Sequence, residues 1–569
     1  MSSASDLSVI RHSVAHLLAH AITELYPETL LTIGPATKEG FFYDFLPKRA
    51  FKAEDLVLIA DRMRDIVARN FPIEHREISK TEARELYKDN PFKLELIENI
   101  PGDTVGLSVQ GNFYDLCRGG HVARTGELGN FILTNMSGSY WRADKKNAAL
   151  QRISGTAFAT AEALVAHEKH QLELAQYDHR VLGKQLDLFS FHAEGTGFPF
   201  FHPKGCAILR IMNEYMRALH HQYNYQEIMT PTMLSDELWQ RSGHYAHYRD
   251  NMYFSTIDDQ SYAIKPMNCP GAILTYKSRQ RSYRELPLKL AEFGHVHRHE
   301  LSGVLHGLLR VRAFTQDDAH IFCTPEGLEE QVTTIVQIIE RVARRFGFGK
   351  PLFFVATRPK NAMGSAELWE TATLALKDAL KSLNVPFEVE EGEGAFYGPK
   401  ISAYLEDAYG RRWQCGTVQI DFFQSENFDL TYVAASGQRQ RPVIVHQAVY
   451  GSLERFLAIT LEHYRGNLPV WLAPVQARIL TITEEQLPQA EQWYFYLHGK
   501  GMRVEIDRSP DPLKGKIKTA SEDKVPWMLI IGKKEAAENC VMLRLYDGTQ
   551  HPNITQDELW KRFVEACAE

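Results

Sequence analysis

The sequence predicts an α+β protein built from several domains, and three observations carry that prediction. The chain has 569 residues, more than one hydrophobic core holds, which favours roughly three or four domains. Apolar residues recur at helical spacing in separate stretches, 6–25 and 328–346 among them. Beyond residue 468 the rhythm changes. RILTI, MRVEI and WMLIIG are separated by helical segments, and a final helix is expected over 556–568. That alternation predicts a small α/β domain with a mostly parallel sheet.

Composition narrows the function classes. No apolar run approaches the ~20 residues of a membrane span, so no membrane partner is expected. The first residues, MSSASDLSVIRHSVAH, lack the basic-then-apolar order of a secretory signal. Seven scattered cysteines, an odd number, argue against a disulfide framework and for a reducing, cytoplasmic setting. With a net charge of −7, a nucleic-acid partner has to be held by local basic patches.

Taken in order, residues 6–25 predict a helix with Ile10, Val14, Leu17, Leu18, Ala21, Ile22 and Leu25 on one stripe. His12 and His16 fall on the opposite side, one turn apart, as a solvated face or as half of a site. Cys117 and His121 repeat the four-residue spacing far downstream. Together the four residues can hold zinc or arrange a hydrolytic water. A charged helix over 158–178 reads as a connector. Residues 328–346 predict an amphipathic helix whose Val332, Ile335, Ile339 and Val342 belong to a core. Near the C-terminus, Lys514, Lys516 and Lys518 form one basic cluster and Lys533 with Lys534 another, most simply a solvated face.

The stretch 265–323 carries the densest chemistry: Cys269 in KPMNCPG, Arg298 with Glu300 in HRHE, and Gln316, Asp318 and His320 in QDDAH. A thiol and an imidazole distant in sequence make a zinc site if the fold unites them; otherwise they are a buried thiol and a satisfied histidine. KPMNCPG, FTQDDAHIF, GEGAFYGPK (392–400) and IVHQAVYGSLERF (444–456) resemble the class II threonyl-tRNA synthetases, from about residue 8 to about residue 560.

The resemblance implies four segments: an editing domain (1–157), a linker helix (158–178), a class II catalytic domain on an antiparallel sheet (179–467) and an anticodon-binding α/β domain (468–569). It implies ATP-dependent activation of L-threonine, transfer to the 3′-terminal adenosine of tRNA(Thr), and hydrolysis of mischarged seryl-tRNA. YNYQEIMTPTML, with Pro231, resembles the family's first class II motif and implies a homodimer. Arg298 would act on the α-phosphate and the amino-acid carboxylate, Glu300 would face adenine, Arg310 would add a phosphate contact and Arg455 would pack over the nucleotide, with Gln414 and Thr417 also holding ATP-Mg(2+). His446 would join Cys269 and His320 around zinc. Met267, Gln316, Asp318, Tyr397 and Gln419 would line the threonine pocket, Lys400 would belong to the catalytic set, and His244 would help deprotonate the terminal ribose. No magnesium ligand is assignable.

In the editing domain the resemblance adds Tyr43, Asp44, Lys93 and Asp115 to His12, His16, Cys117 and His121, and implies a metal-free site that positions water. Gly120 stands where the family commonly has proline and is expected to loosen the turn. Relatives commonly carry a small ubiquitin-like domain first, whereas here the editing domain is expected to open the chain. Glu535 and Arg544 match positions that read anticodon bases. The two sites explain each other. Zinc that ligates a hydroxyl rejects valine, but serine keeps the hydroxyl and differs by one methyl, worth only ~1–3 kcal/mol, so a second sieve is needed. Rival readings are an RNA-binding protein without chemistry, a ligase for another acceptor, and a specialised second copy of the synthetase.

Overall fold

A computed structural model describes residues 4–144, 146–360 and 362–568. The chain divides into two compact units, Met1–Glu173 and Leu174–Glu569. The helix Ala161–Gln176 runs across the division and buries none of its residues. No helix among the described residues is long and apolar enough to cross a membrane.

In the first unit the helix Ala4–Leu25 carries the predicted stripe, with Val14, Leu17, Leu18, Ala21 and Ile22 fully buried. They meet an antiparallel sheet of Leu30–Leu31, Phe41–Leu46, Ala149–Ala157 and Phe131–Tyr140. The side opposite is not the solvated face that one reading allowed. His16 is 3% exposed and His20 1%, because a second sheet, Ile73–Ser79, Thr104–Gln110 and Phe113–Leu116, covers them. Gln110 of that sheet reaches the His20 ring, with Nε2 3.1 Å from Nδ1. The helix is sandwiched, so both of its sides are interior.

The second unit is organised on an eight-stranded sheet. Its order is Gln226–Glu227, Leu288–His297, Ala313–Cys323, Val443–Ala448, Arg412–Asp421, Lys400–Glu406, Leu352–Ala356 and Phe387–Glu390. Every pairing is antiparallel except the two at the edges. Because side chains alternate between faces, one face presents in-register rows of polar residues. His320, His446, Gln419 and Lys400 form one row, and Glu292, Asp318, Ala448, Thr417 and Ser402 the next. Residues on the other face, Ile321, Val445, Ile420 and Ile401 among them, join the core with the helix Leu328–Arg345 and its buried Val332, Ile335, Ile339 and Val342.

The second unit also holds a five-stranded sheet, Val504–Asp507, Ala477–Thr481, Trp527–Ile531, Val541–Leu545 and Gln550–Ile554. Two of its pairings are parallel and two antiparallel, so the sheet is mixed, not mostly parallel. The reason is chain length. Between Ile531 and Val541 there is room only for the short helix Lys533–Glu538, and a parallel crossover needs a dozen or more residues. Leu468, Trp471, Leu472 and Ala473 pack into the core beneath the eight-stranded sheet, and Arg345 donates to the carbonyls of Cys567 and Ala568 at the end of the last helix.

Candidate functional site

The first polar row gathers the thiol and the two imidazoles. Cys269 opens the helix Cys269–Lys277, and His320 and His446 lie on neighbouring strands as register partners. One ligand atom from each of the three lies within 4.8 Å of those of the others, and all three residues are buried. His320 Nε2 is buried with no hydrogen-bond partner, an expensive vacancy for an imidazole nitrogen unless something ligates it. The second nitrogen-bearing partner is already braced: His446 Nε2 stands 3.0 Å from Asp421 Oδ2, the carboxylate support that metal-bound histidines commonly have. Thiolate plus two imidazoles is a donor set that fits zinc.

The predicted pocket residues surround this triad. Asn268 Nδ2 donates to Asp318 Oδ2 at 3.0 Å, and burial pushes the Asp318 carboxyl up to about 6. The Tyr397 ring lies 5.6 Å from that of His446, and Gln419 donates to the Gly398 carbonyl at 3.3 Å. Lys400 stands beside Gln419 across the ladder. His244 is fully buried, with Nδ1 2.7 Å from Ser242 Oγ and Nε2 3.0 Å from Met267 Sδ. Its Nε2 also lies 3.8 Å from Cys269 Sγ, beside the triad.

Next to the triad is a cleft of about 520 Å³ lined by Arg298, Glu300, Arg310, Gln316, Gln414, Thr417 and Arg455. Arg298 donates to the Pro266 carbonyl at 3.1 Å and lies over the rings of Tyr248 and Phe314. Arg455, at the start of the helix Leu453–His463, donates to the Leu309 carbonyl at 3.1 Å. Burial, and then the neighbouring Arg310 and Arg298, hold its guanidinium below the usual arginine range. Three cations crowded into one cleft with a single carboxylate, Glu300 at 3.2 Å from Arg310, make a site for a polyanion.

The first unit holds a second centre, in a cavity of about 840 Å³. Cys117 Sγ is 3.0 Å from His121 Nε2 and 3.6 Å from His12 Nε2, and His12 Nε2 is 3.3 Å from His16 Nε2. Behind them Asp115 accepts from Tyr43 Oη at 2.6 Å and from Lys93, which also reaches Tyr43 at 3.1 Å. Lys93 and Asp115 are both buried. Asp44 lies apart from this group in a bidentate pair with Arg152. Burial pushes the imidazoles of His16 and His121 down to about 3 and about 4, so both are neutral near pH 7. Gly119 and Gly120 turn at φ +94° and +82°. Proline is locked near −65°, so this turn follows a path a proline at 120 could not.

In the C-terminal sheet Glu535 Oε2 accepts from the Gly532 amide at 3.0 Å and caps the short helix after it, and Arg544 reaches the Gly548 carbonyl at 3.3 Å. Lys516 leaves the expected exposed cluster. It is buried, with Nζ 3.3 Å from Thr481 Oγ1, because the helix Leu513–Glu522 packs that side against the strand Ala477–Thr481.

The family description "tRNA synthetase class II core domain (G, H, P, S and T)" matches residues 253–464. "Anticodon binding domain" matches 473–566, and "Threonyl and Alanyl tRNA synthetase second additional domain" matches 107–154. The threonine–tRNA ligase of Carboxydothermus hydrogenoformans is 50% identical over 94% of this chain and 85% of its own length. The chain belongs to the threonine–tRNA ligase family. The corresponding ligase of Acetivibrio thermocellus is 48% identical over 98% of this chain and 88% of its own. The crystal structure of the RNA binding domain of threonyl-tRNA synthetase from Cryptosporidium parvum superposes with a TM-score of 0.66 at 39% identity, covering 68% of this chain and 98% of that one.

Within this family member, sequence reasoning missed several supports. Asp421 braces His446. The Lys265–Glu292 pair, 2.9 Å apart and buried, ties the strand carrying Asp318's neighbour to Thr230. Asp317 accepts from the amides of Val449, Tyr450 and Gly451, and Glu454 from that of Thr315. Each joins segments far apart in the chain, so no local pattern announced it. A sequence signal existed at Glu292, a charge inside the otherwise apolar run LAEF, and at Glu454, one in the largely apolar helix Leu453–His463.

Proposed function

We infer that this chain joins L-threonine to tRNA(Thr) through a threonyl-adenylate and clears seryl-tRNA at a separate hydrolytic centre, working as a homodimer. The observation that carries the reading is the adjacency of two sites on one sheet face: a buried Cys269–His320–His446 triad and a cleft holding Arg298, Arg310 and Arg455. Cys269, His320 and His446 would hold zinc, which, when bound, supplies Lewis-acid coordination for the amino and hydroxyl groups of threonine. The chain's own residues do the rest. Asp318, fixed by Asn268, accepts the hydroxyl proton, and Gln419 and Tyr397 wall the pocket. Arg298 orients the threonine carboxylate against the α-phosphate, while Arg310 and Arg455 offset charge on the triphosphate and the attack it undergoes. His244 takes up the proton lost by the terminal ribose in the second step. Valine lacks the hydroxyl and is rejected; serine is not.

In the first unit neutral His12, His16 and His121 with Cys117 hold a water at the ester, and the Lys93–Asp115–Tyr43 network fixes their surroundings. Glu535 and Arg544 are proposed to read anticodon bases. Dimerisation is supported by Met229, in the segment resembling the first class II motif, which is 93% exposed. The test is charging of a tRNA(Thr) transcript with labelled threonine, ATP and magnesium. Threonine-dependent label on the tRNA is expected. Folded, zinc-loaded protein that forms no threonyl-tRNA would overturn the reading.

A further inference from the structure

The third cluster of metal-type donors among the described residues is Asp178, His179 and Glu462, and its hydrogen bonding points elsewhere. His179 is fully buried at the start of the helix His179–Gln185. Its Nδ1 lies 2.6 Å from Glu462 Oε1, which also accepts from the His179 amide at 2.9 Å. The Leu308 amide donates to His179 Nε2 at 3.0 Å. Nε2 must therefore be the bare nitrogen and Nδ1 the protonated one, and neither is open to a metal. Glu462 in turn pairs with Arg411, which also binds Asp407 at 2.7 Å. A buried carboxylate flanked by an imidazole and a guanidinium fixes the tautomer that Leu308 needs.

Leu308 sits in the turn that delivers the nucleotide cleft. Residues 306 to 310 close on themselves, the Leu309 amide donating to the His306 carbonyl at 3.0 Å and the His306 amide to the Arg310 carbonyl at 3.1 Å. The next carbonyl, that of Leu309, accepts from Arg455 Nε, and the residue after it is Arg310. The turn is thus held from behind by His179 and from the front by a cleft arginine. Gly307 shows how closely the ring is applied. Its φ is +49°, and a Cβ there would overlap His179 Nε2.

We propose that His179, held by Glu462, is a positioning residue for amino-acid activation: it fixes the Leu308 turn so that Arg310 and Arg455 meet the phosphates of ATP. This rests on the activation chemistry inferred above. The Phe substitution His179→Phe keeps a ring and removes both hydrogen bonds; His179→Gln restores an acceptor for Leu308. ATP–pyrophosphate exchange with threonine should show the KM for ATP raised about ten-fold in His179→Phe, the size of one lost hydrogen bond. The KM for threonine and the zinc content should stay at wild-type values, and His179→Gln should recover most of the loss. A rise in both KM values together, an unchanged KM for ATP, or a Gln variant as impaired as Phe would overturn the proposal. If His179→Phe yields no folded protein, Glu462→Gln decides: a raised KM for ATP alone supports the assignment, and wild-type KM values refute it. Wild-type protein without any exchange would instead sink the activation reading itself.

Discussion

Cys269 separates a metal centre from a merely buried thiol. Its Sγ, His320 and His446 face one another inside the protein, so exchanging sulfur for a poor ligand should remove the ion and the function together. Cys269→Ser is expected to lose zinc by metal analysis and to lower threonine activation at least about 100-fold, more than the loss of an outer-shell support would. Normal activation by a zinc-free variant would contradict the assignment. At the other centre, His16 and His121 titrate at about 3 and about 4 when folded and near 6.5 when unfolded. Folded values below unfolded ones mean that the contribution is complete above about pH 6.5 and is lost as pH falls toward 4. Urea midpoints measured from pH 7 to 4.5 should therefore fall more steeply for wild type than for His121→Gln; parallel curves would show that this imidazole does not carry the dependence.

Strands and helices explain which parts of the site were legible. The helix stripe at Val14, Leu17, Leu18 and Ile22 was readable because a 3.6-residue period is local, and the four resembling stretches placed Cys269, His320, His446 and Arg455. The burial of His16 was not readable, since it depends on a second sheet arriving from residues 73–116. Nor was Lys516, whose partner Thr481 lies on another element, nor the mixed C-terminal sheet, where the brevity of one connection outweighed the strand–helix alternation. The same cross-element logic gives a prediction at Gly294. A Cβ there would overlap the Asn268 side chain, which holds Asp318. Gly294→Ala should destabilise the protein by about 1–3 kcal/mol through overpacking and raise the KM for threonine. A lowered Tm with unchanged KM would mean that Asn268 does not set Asp318.

At the scale of the whole molecule, two chemistries reside in two compact units, each with its own core. That division predicts separable defects. His12→Ala with His16→Ala should leave threonylation unchanged while seryl-tRNA accumulates; clearance of seryl-tRNA at the wild-type rate would remove the editing assignment. The need for a second centre follows from what the first can distinguish, and one measurement reaches that claim directly: ATP–pyrophosphate exchange by the zinc-loaded protein with threonine, serine and valine in parallel. Strong exchange with threonine, weaker exchange with serine and none with valine is the result expected of a pocket in which the triad and Asp318 read the hydroxyl and not the methyl. Exchange with valine comparable to that with serine would contradict the account, since a pocket that accepts valine is reading shape alone.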